Sequence, residues 1–266
     1  MNGAKQGPRG QGRQPGNAAF DDSLKAIVAA FAFLTRIPVW RGPLRDEDLG
    51  RSVAFFPLVG LVLGLALAGA GAIAASALSP GVGAVLLAAL LAALTGGLHL
   101  DGLADVFDAL GGGRGDRARM LELMRDSRIG AHGAAALVLL LAAKITALTQ
   151  VVERQDLLTL LAFPTVGRWA ATLLIVFFPY ARAEGLGRAF SGHAGRVQVG
   201  IASAMVVVVV AALGGRFALP ALGCAVVVLL FGLRMRRHLG GLTGDVYGAA
   251  IELGEVTTLI LAGALR

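Results

Sequence analysis

The sequence predicts an all-α fold: a polytopic integral membrane helix bundle of about seven transmembrane helices plus one N-terminal interfacial or re-entrant helix. Three observations carry this prediction. Of the 266 residues, 56% are hydrophobic and 15% charged, and the mean hydropathy is +0.73, too apolar for a domain with a fully hydrated surface. Apolar runs close to the ~20 residues needed to cross a bilayer recur along the chain. The basic residues, finally, gather in alternate connections between those runs.

Residues 1–19, rich in Gly, Gln, Pro and Arg, cannot bury enough apolar surface to fold and are expected to form a disordered basic tail. They lack the apolar core and cleavage pattern of a signal peptide, so the first hydrophobic stretch is expected to stay in the mature protein. Residues 20–266 then form a single helical membrane catalytic domain. The stretch 24–39 is interrupted by Thr35-Arg36 and stopped by Pro38, too short to span comfortably, and is read as interfacial or re-entrant. The spans are placed at about 53–78, 83–100, 132–150, 157–178, 197–213, 217–233 and 247–265.

Orientation follows from the arginines. Arg36, Arg41, Arg45 and Arg51 precede the first span, and Arg114, Arg117, Arg119, Arg125 and Arg128 follow the second. Arg182, Arg188 and Arg196 follow the fourth, and Arg234, Arg236 and Arg237 the sixth, whereas the alternate loops carry only Arg154, Arg216 and the terminal Arg266. This asymmetry places the basic loops, and the acidic motif with them, in the cytoplasm of a multi-pass protein with membrane lipid around the bundle. It also accounts for a pI near 10.7 without nucleic acid, for which no soluble basic groove or helix is visible. Cys224 is the only cysteine and falls in a span, so disulfides and cysteine-based metal sites are excluded by count. No convincing internal repeat is seen, which weakens an inverted-repeat transporter.

The chemistry concentrates at the end of the second span, in His99-Leu100-Asp101-Gly102-Leu103-Ala104-Asp105 with Asp108. On a helix Asp101, Asp105 and Asp108 fall within roughly 60° of one another. Three like charges on one face repel and suit a hard divalent cation such as Mg²⁺; the plain alternative is a solvated acidic helix end. A second acidic cluster, Asp245 with Glu252 and Glu255, follows Gly240-Gly241-Leu242-Thr243-Gly244. A helix N-terminus explains Asp245 adequately but explains carboxylates one to three turns into an apolar run poorly. Lys144 and Arg168 lie inside spans. They either neutralise buried carboxylates or face the acidic cavity and hold phosphate oxygens, a task suited to arginine's planar fork. Arg125, Asp126, Ser127 and Arg128 precede the third span and read either as an anion site at a helix start or as a capping loop.

Carboxylates for a metal with cations for phosphate point to phosphoryl-type transfer, in which a protein mainly positions reactants and neutralises charge. No Ser-His-Asp constellation, Walker loop or dinucleotide fingerprint is present.

Over residues 24–262 the chain resembles the cobalamin synthase family, the adenosylcobinamide-GDP ribazoletransferases. The resemblance rests on Phe33-Leu34-Thr35-Arg36-Ile37-Pro38, Phe55-Phe56-Pro57-Leu58-Val59-Gly60 and the His99–Asp108 segment. It continues through Asp126-Ser127-Arg128-Ile129-Gly130, Arg168-Trp169, Pro179-Tyr180-Ala181-Arg182 and Gly241-Leu242-Thr243-Gly244-Asp245, with Glu252 and Glu255 behind. His132 departs from the aromatic residue expected there. The resemblance implies a Mg²⁺-dependent transfer at the cytoplasmic face. It would join adenosylcobinamide-GDP to α-ribazole or its 5′-phosphate, giving adenosylcobalamin or its 5′-phosphate and GMP. Asp101, Asp105 and Asp108 would hold metal, with Asp245 and Glu252 completing the site or holding a second ion. Arg168, Lys144, Arg125 and Arg128 would clamp the pyrophosphate, with Asp126 and Ser127 beside them. His99 is offset from the aspartate face; it is a candidate base or a buried histidine with a hydrogen-bond partner. Two other readings stay open: a phosphatidyltransferase-like membrane enzyme acting on another nucleotide-activated alcohol, and a cation-coupled transporter. Against the first, Asp-Gly here precedes the second aspartate and no Ala-Arg step follows before the next acid.

Overall fold

The computed structural model describes residues 15–40 and 42–265. The expected tail lies outside the described residues over 1–14; from Pro15 onward the chain is helical.

Twelve α-helices and no β-strand occur among the described residues. The first, α1 (Pro15–Leu34), stops where the sequence predicts a break. There Thr35 turns its hydroxyl back onto the Phe31 carbonyl at 2.7 Å, and Arg36 N–H donates to the Leu94 carbonyl at 2.8 Å. A short α2 (Asp46–Ser52) and one 3₁₀ turn (Val53–Phe55) lead directly into α3 (Phe56–Ala77), which starts with Pro57 in its first turn, where a missing N–H costs nothing. Then come α4 (Pro80–Thr95), α5 (Leu98–Gly112), α6 (Arg117–Leu123), α7 (Ala131–Glu153) and α8 (Leu157–Phe177). The chain finishes with α9 (Leu186–His193), α10 (Arg196–Ala212), α11 (Ala218–Leu239) and α12 (Gly244–Ala264).

Five helical segments are long and apolar enough to cross a membrane: 46–77, which runs from α2 through α3, together with α7, α8, α11 and α12. The number rises to seven when the bent pairs α4–α5 and α9–α10 each count as one span, which makes this a multi-pass membrane protein. Leu139, Ile73, Val207 and Leu230 sit on the outside of the bundle, more than half exposed, as a lipid-facing surface requires.

The second span differs from the expected 83–100. Helix α4 ends at Gly96 and Gly97, both left-handed (φ +66° and +71°), a conformation that glycine adopts without steric cost. The chain then turns by 91° into α5. The aspartate segment is therefore a separate helix, sharply bent from α4 rather than its straight continuation. Helix α11 runs six residues past its expected end, carrying Arg236, Arg237 and His238 in its last turn, where cations offset the helix dipole.

Candidate active site

Helices α5 and α12 touch through glycines, and this contact builds the site. A Cβ on Gly102 would lie 2.7 Å from the Asp245 carbonyl oxygen, and one on Gly248 would lie 3.2 Å from the His99 Cα. Only small residues allow backbones to approach so closely. The crossing sets Asp101 beside Asp245, so both line one cavity of about 230 Å³. A larger, more open cavity of about 700 Å³ adjoins it, lined by Thr35, Arg36, Asp101, Asp105, Ser127 and Arg128. Asp101, Phe33 and Leu98 belong to both walls.

The loop after α8 is fastened to the loop before α12 by a two-residue parallel bridge. Leu242 N–H donates to the Pro179 carbonyl and Ala181 N–H to the Leu242 carbonyl, each at 2.8 Å. Gly241 is required there, since a Cβ would meet the Pro179 oxygen at 2.7 Å. The bridge delivers Arg182 to Asp245, whose carboxylate accepts from the guanidinium at 2.8 Å. In the same loop Tyr180 lines the smaller cavity, and burial pushes its hydroxyl above the ordinary tyrosine range. Before α7, the Arg128 guanidinium donates to both oxygens of Asp126 and holds that carboxyl down at about 2.

Several expected site residues are placed elsewhere. Asp108 does not face the cavities' shared wall; its carboxylate accepts the Gly130 and Gly133 N–H groups at 2.7 and 2.8 Å. It therefore caps the N-terminus of α7, where negative charge meets the positive end of the helix dipole. Gly130 and Gly133 leave room for it: a Cβ at either would lie 2.4 Å from an Asp108 oxygen. Glu252 is separated from the aspartates. Its carboxylate accepts from Lys144 Nζ at 2.5 Å, and Lys144 also donates to Glu255 at 2.6 Å. Arg168, fully buried, pairs with the other oxygen of Glu255. Two cations and two carboxylates thus form a balanced ion network between α7, α8 and α12. Lys144 and Arg168 serve there as counter-ions, and neither lines the two cavities. Gly167 makes space for the network, since a Cβ would lie 2.6 Å from Glu255 Cγ. Arg125 lines neither cavity. His99 is 2% exposed with an unpartnered Nε2, so the expected hydrogen-bond partner for a buried histidine is missing at that atom.

Among the described residues no three His, Cys, Asp or Glu side chains converge to hold a metal ion by themselves. Among the described residues the carboxylates of Asp101 and Asp105 make no hydrogen bond or ion pair, and both residues line the larger cavity. That donor set fits Mg²⁺, which is commonly held by one or two carboxylates together with substrate phosphates.

The sequence reading missed Arg36, Arg182, Tyr180 and Tyr247 as site residues. Arg36 stood out as a loop cation and as a member of the Phe33–Pro38 motif, with no site role given to it. Its place in the larger cavity depends on the α1–α4 hydrogen bond, a contact between distant segments. Arg182 and Tyr180 are placed by the bridge to Leu242, which hydropathy patterning does not reveal.

Residues 26–263 match the family model for cobalamin-5-phosphate synthase. Three proteins named adenosylcobinamide-GDP ribazoletransferase are similar to the chain along nearly its whole length. That of Geotalea daltonii is 46% identical over 248 residues, covering 91% of this chain and 98% of its own. That of Klebsiella pneumoniae subsp. pneumoniae is 44% identical over 249 residues, covering 89% and 98%. That of Pseudomonas fluorescens is 44% identical over 238 residues, covering 87% and 96%. No solved structure matches.

Proposed function

The chain belongs to the cobalamin-5-phosphate synthase family, and from that premise we propose that it is an adenosylcobinamide-GDP ribazoletransferase working at the cytoplasmic face of a bacterial inner membrane. It joins adenosylcobinamide-GDP to α-ribazole or its 5′-phosphate, giving adenosylcobalamin or its 5′-phosphate and GMP. A ribose hydroxyl attacks the corrinoid-side phosphorus of the pyrophosphate; a new P–O bond forms, the P–O bond to the GMP phosphate breaks, and GMP leaves with that oxygen.

The observation that carries this reading is the larger cavity. Its wall carries two carboxylates with no partner among the described residues, Asp101 and Asp105, together with two arginines, Arg36 and Arg128. A pyrophosphate needs both parts: cations for its oxygens and carboxylates for its accompanying metal. Arg36 makes no ion pair among the described residues, which leaves its fork for phosphate oxygens. Arg128 is already paired with Asp126 and sits as an oriented second cation. Asp101 and Asp105 would hold Mg²⁺, which when bound neutralises charge on the pyrophosphate and on the departing phosphate. Asp245, on the Asp101 side and steadied by Arg182, shapes the junction between the cavities.

Family membership leaves a phosphatidyltransferase-like enzyme without support. A coupled transporter would draw on intramembrane charges, and the buried ones here neutralise one another. The test is direct: purified protein in nanodiscs, given adenosylcobinamide-GDP, α-ribazole and Mg²⁺, should yield adenosylcobalamin and GMP by mass spectrometry. No product from folded protein, with α-ribazole and with its 5′-phosphate alike, would reject the reading.

A further inference from the structure

The smaller cavity carries a feature that pyrophosphate chemistry does not use. Its walls are largely apolar, with Phe33, Phe56, Ile175 and Ile251 among them. Three residues of its wall carry buried side-chain atoms with no hydrogen-bond partner among the described residues: His99 Nε2, Tyr247 Oη and, on the guanidinium that already holds Asp245, Arg182 Nε. His99 is 2% and Tyr247 4% exposed. A buried polar atom left unpaired is costly, and this one wall carries three, two of them on the aromatic rings of His99 and Tyr247. Such a pair is what a ligand-binding site looks like before its ligand arrives: apolar walls with a few placed polar groups.

The dimensions and chemistry select the ligand class. A volume of about 230 Å³ equals about eight waters at ~30 Å³ each, enough for one bicyclic aromatic ring system and too little for a corrin macrocycle. A ribazole base, a dimethylbenzimidazole attached to ribose through one nitrogen, is apolar apart from its one bare ring nitrogen. We infer that the smaller cavity is the acceptor subsite, taking a benzimidazole-type base between its apolar walls, with Tyr247 and His99 satisfying the bare ring nitrogen and a ribose hydroxyl. The inference rests on the transferase reading above and adds where the acceptor sits. The shared wall supports it: Asp101 lines both cavities, so a base seated in the smaller one directs its ribose toward the pyrophosphate in the larger one.

The variants Tyr247→Phe and His99→Phe remove the unpartnered atoms while keeping the rings. Neither breaks a hydrogen bond at those atoms, so thermal unfolding of the ligand-free protein should stay at or above the wild-type value. Binding of α-ribazole alone to the nanodisc-held protein, by equilibrium dialysis, should weaken about five- to tenfold in each variant. The KM for α-ribazole should rise by a similar factor, with the KM for adenosylcobinamide-GDP unchanged. If both variants bind α-ribazole as wild type does, or if GMP binding and the donor KM change instead, the assignment is overturned while the transferase reading stands. Wild-type protein that binds α-ribazole but forms no product from it or from its 5′-phosphate would instead reject the transferase reading.

Discussion

Arg168 offers the sharpest test of how charge is used inside this bundle. Its side chain and that of Glu255 are fully buried, and the two are paired. Lys144 bridges Glu255 and Glu252 at 2.6 and 2.5 Å. The network is neutral: two cations face two carboxylates. Arg168→Ala leaves Lys144 alone to balance both acids, so one buried negative charge is uncompensated. Removing one partner of a buried pair costs about 3–5 kcal/mol. Lys144 stays within reach of Glu255, so the lower end, about 3 kcal/mol, is expected. At roughly 2–4 °C per kcal/mol for a chain of this size, the unfolding temperature in detergent should fall by roughly 6–12 °C. Arg168→Met combined with Glu255→Gln restores neutrality and should recover most of that loss. The KM for adenosylcobinamide-GDP should stay within about twofold of wild type in variant protein that remains folded. If Arg168→Ala unfolds within about 2 °C of wild type but its donor KM rises tenfold or more, the guanidinium serves the pyrophosphate and the counter-ion account is wrong.

Asp108→Asn should act through stability, because the amide keeps only one oxygen for the Gly130 and Gly133 N–H groups. A loss of about 1–2 kcal/mol in thermal unfolding is expected, with turnover largely retained below the transition; lost turnover at unchanged stability would return Asp108 to the metal site. Single cysteines at Gly115 and Ser191 in a Cys224→Ala background should resist an impermeant thiol reagent in intact cells and react after lysis. Labelling from outside would invert the topology.

The fold was legible because its signals are local. Apolar runs placed α3, α7, α8, α10, α11 and α12 within a few residues, apart from the far end of α11, and Thr35-Arg36 marked the end of α1. The turn into α5 was less legible. Gly96-Gly97 lies inside an apolar stretch that reads as one span, and only left-handed backbone at both glycines separates α4 from α5. For the site, helical spacing correctly put Asp101 and Asp105 on one wall. The same spacing could not show that Asp108, one turn further on, meets the start of α7, because that depends on which helix packs there. Glu252, Lys144 and Arg168 were recognisable as charges needing partners. Sequence spacing left open whether those partners were substrate or one another, and the packing of α7, α8 and α12 pairs them.

Asp101, on the wall common to both cavities, is proposed to be indispensable to the transfer and dispensable to the fold. Its carboxylate makes no hydrogen bond or ion pair among the described residues, so Asp101→Asn removes a charge from an acidic cluster without breaking a contact. Product formation by this variant in nanodiscs, at saturating Mg²⁺ and both substrates, should fall by at least about a thousandfold, equivalent to ~4 kcal/mol of transition-state stabilisation. Thermal unfolding should stay at the wild-type temperature or above. Wild-type turnover by Asp101→Asn under the same conditions would contradict the account.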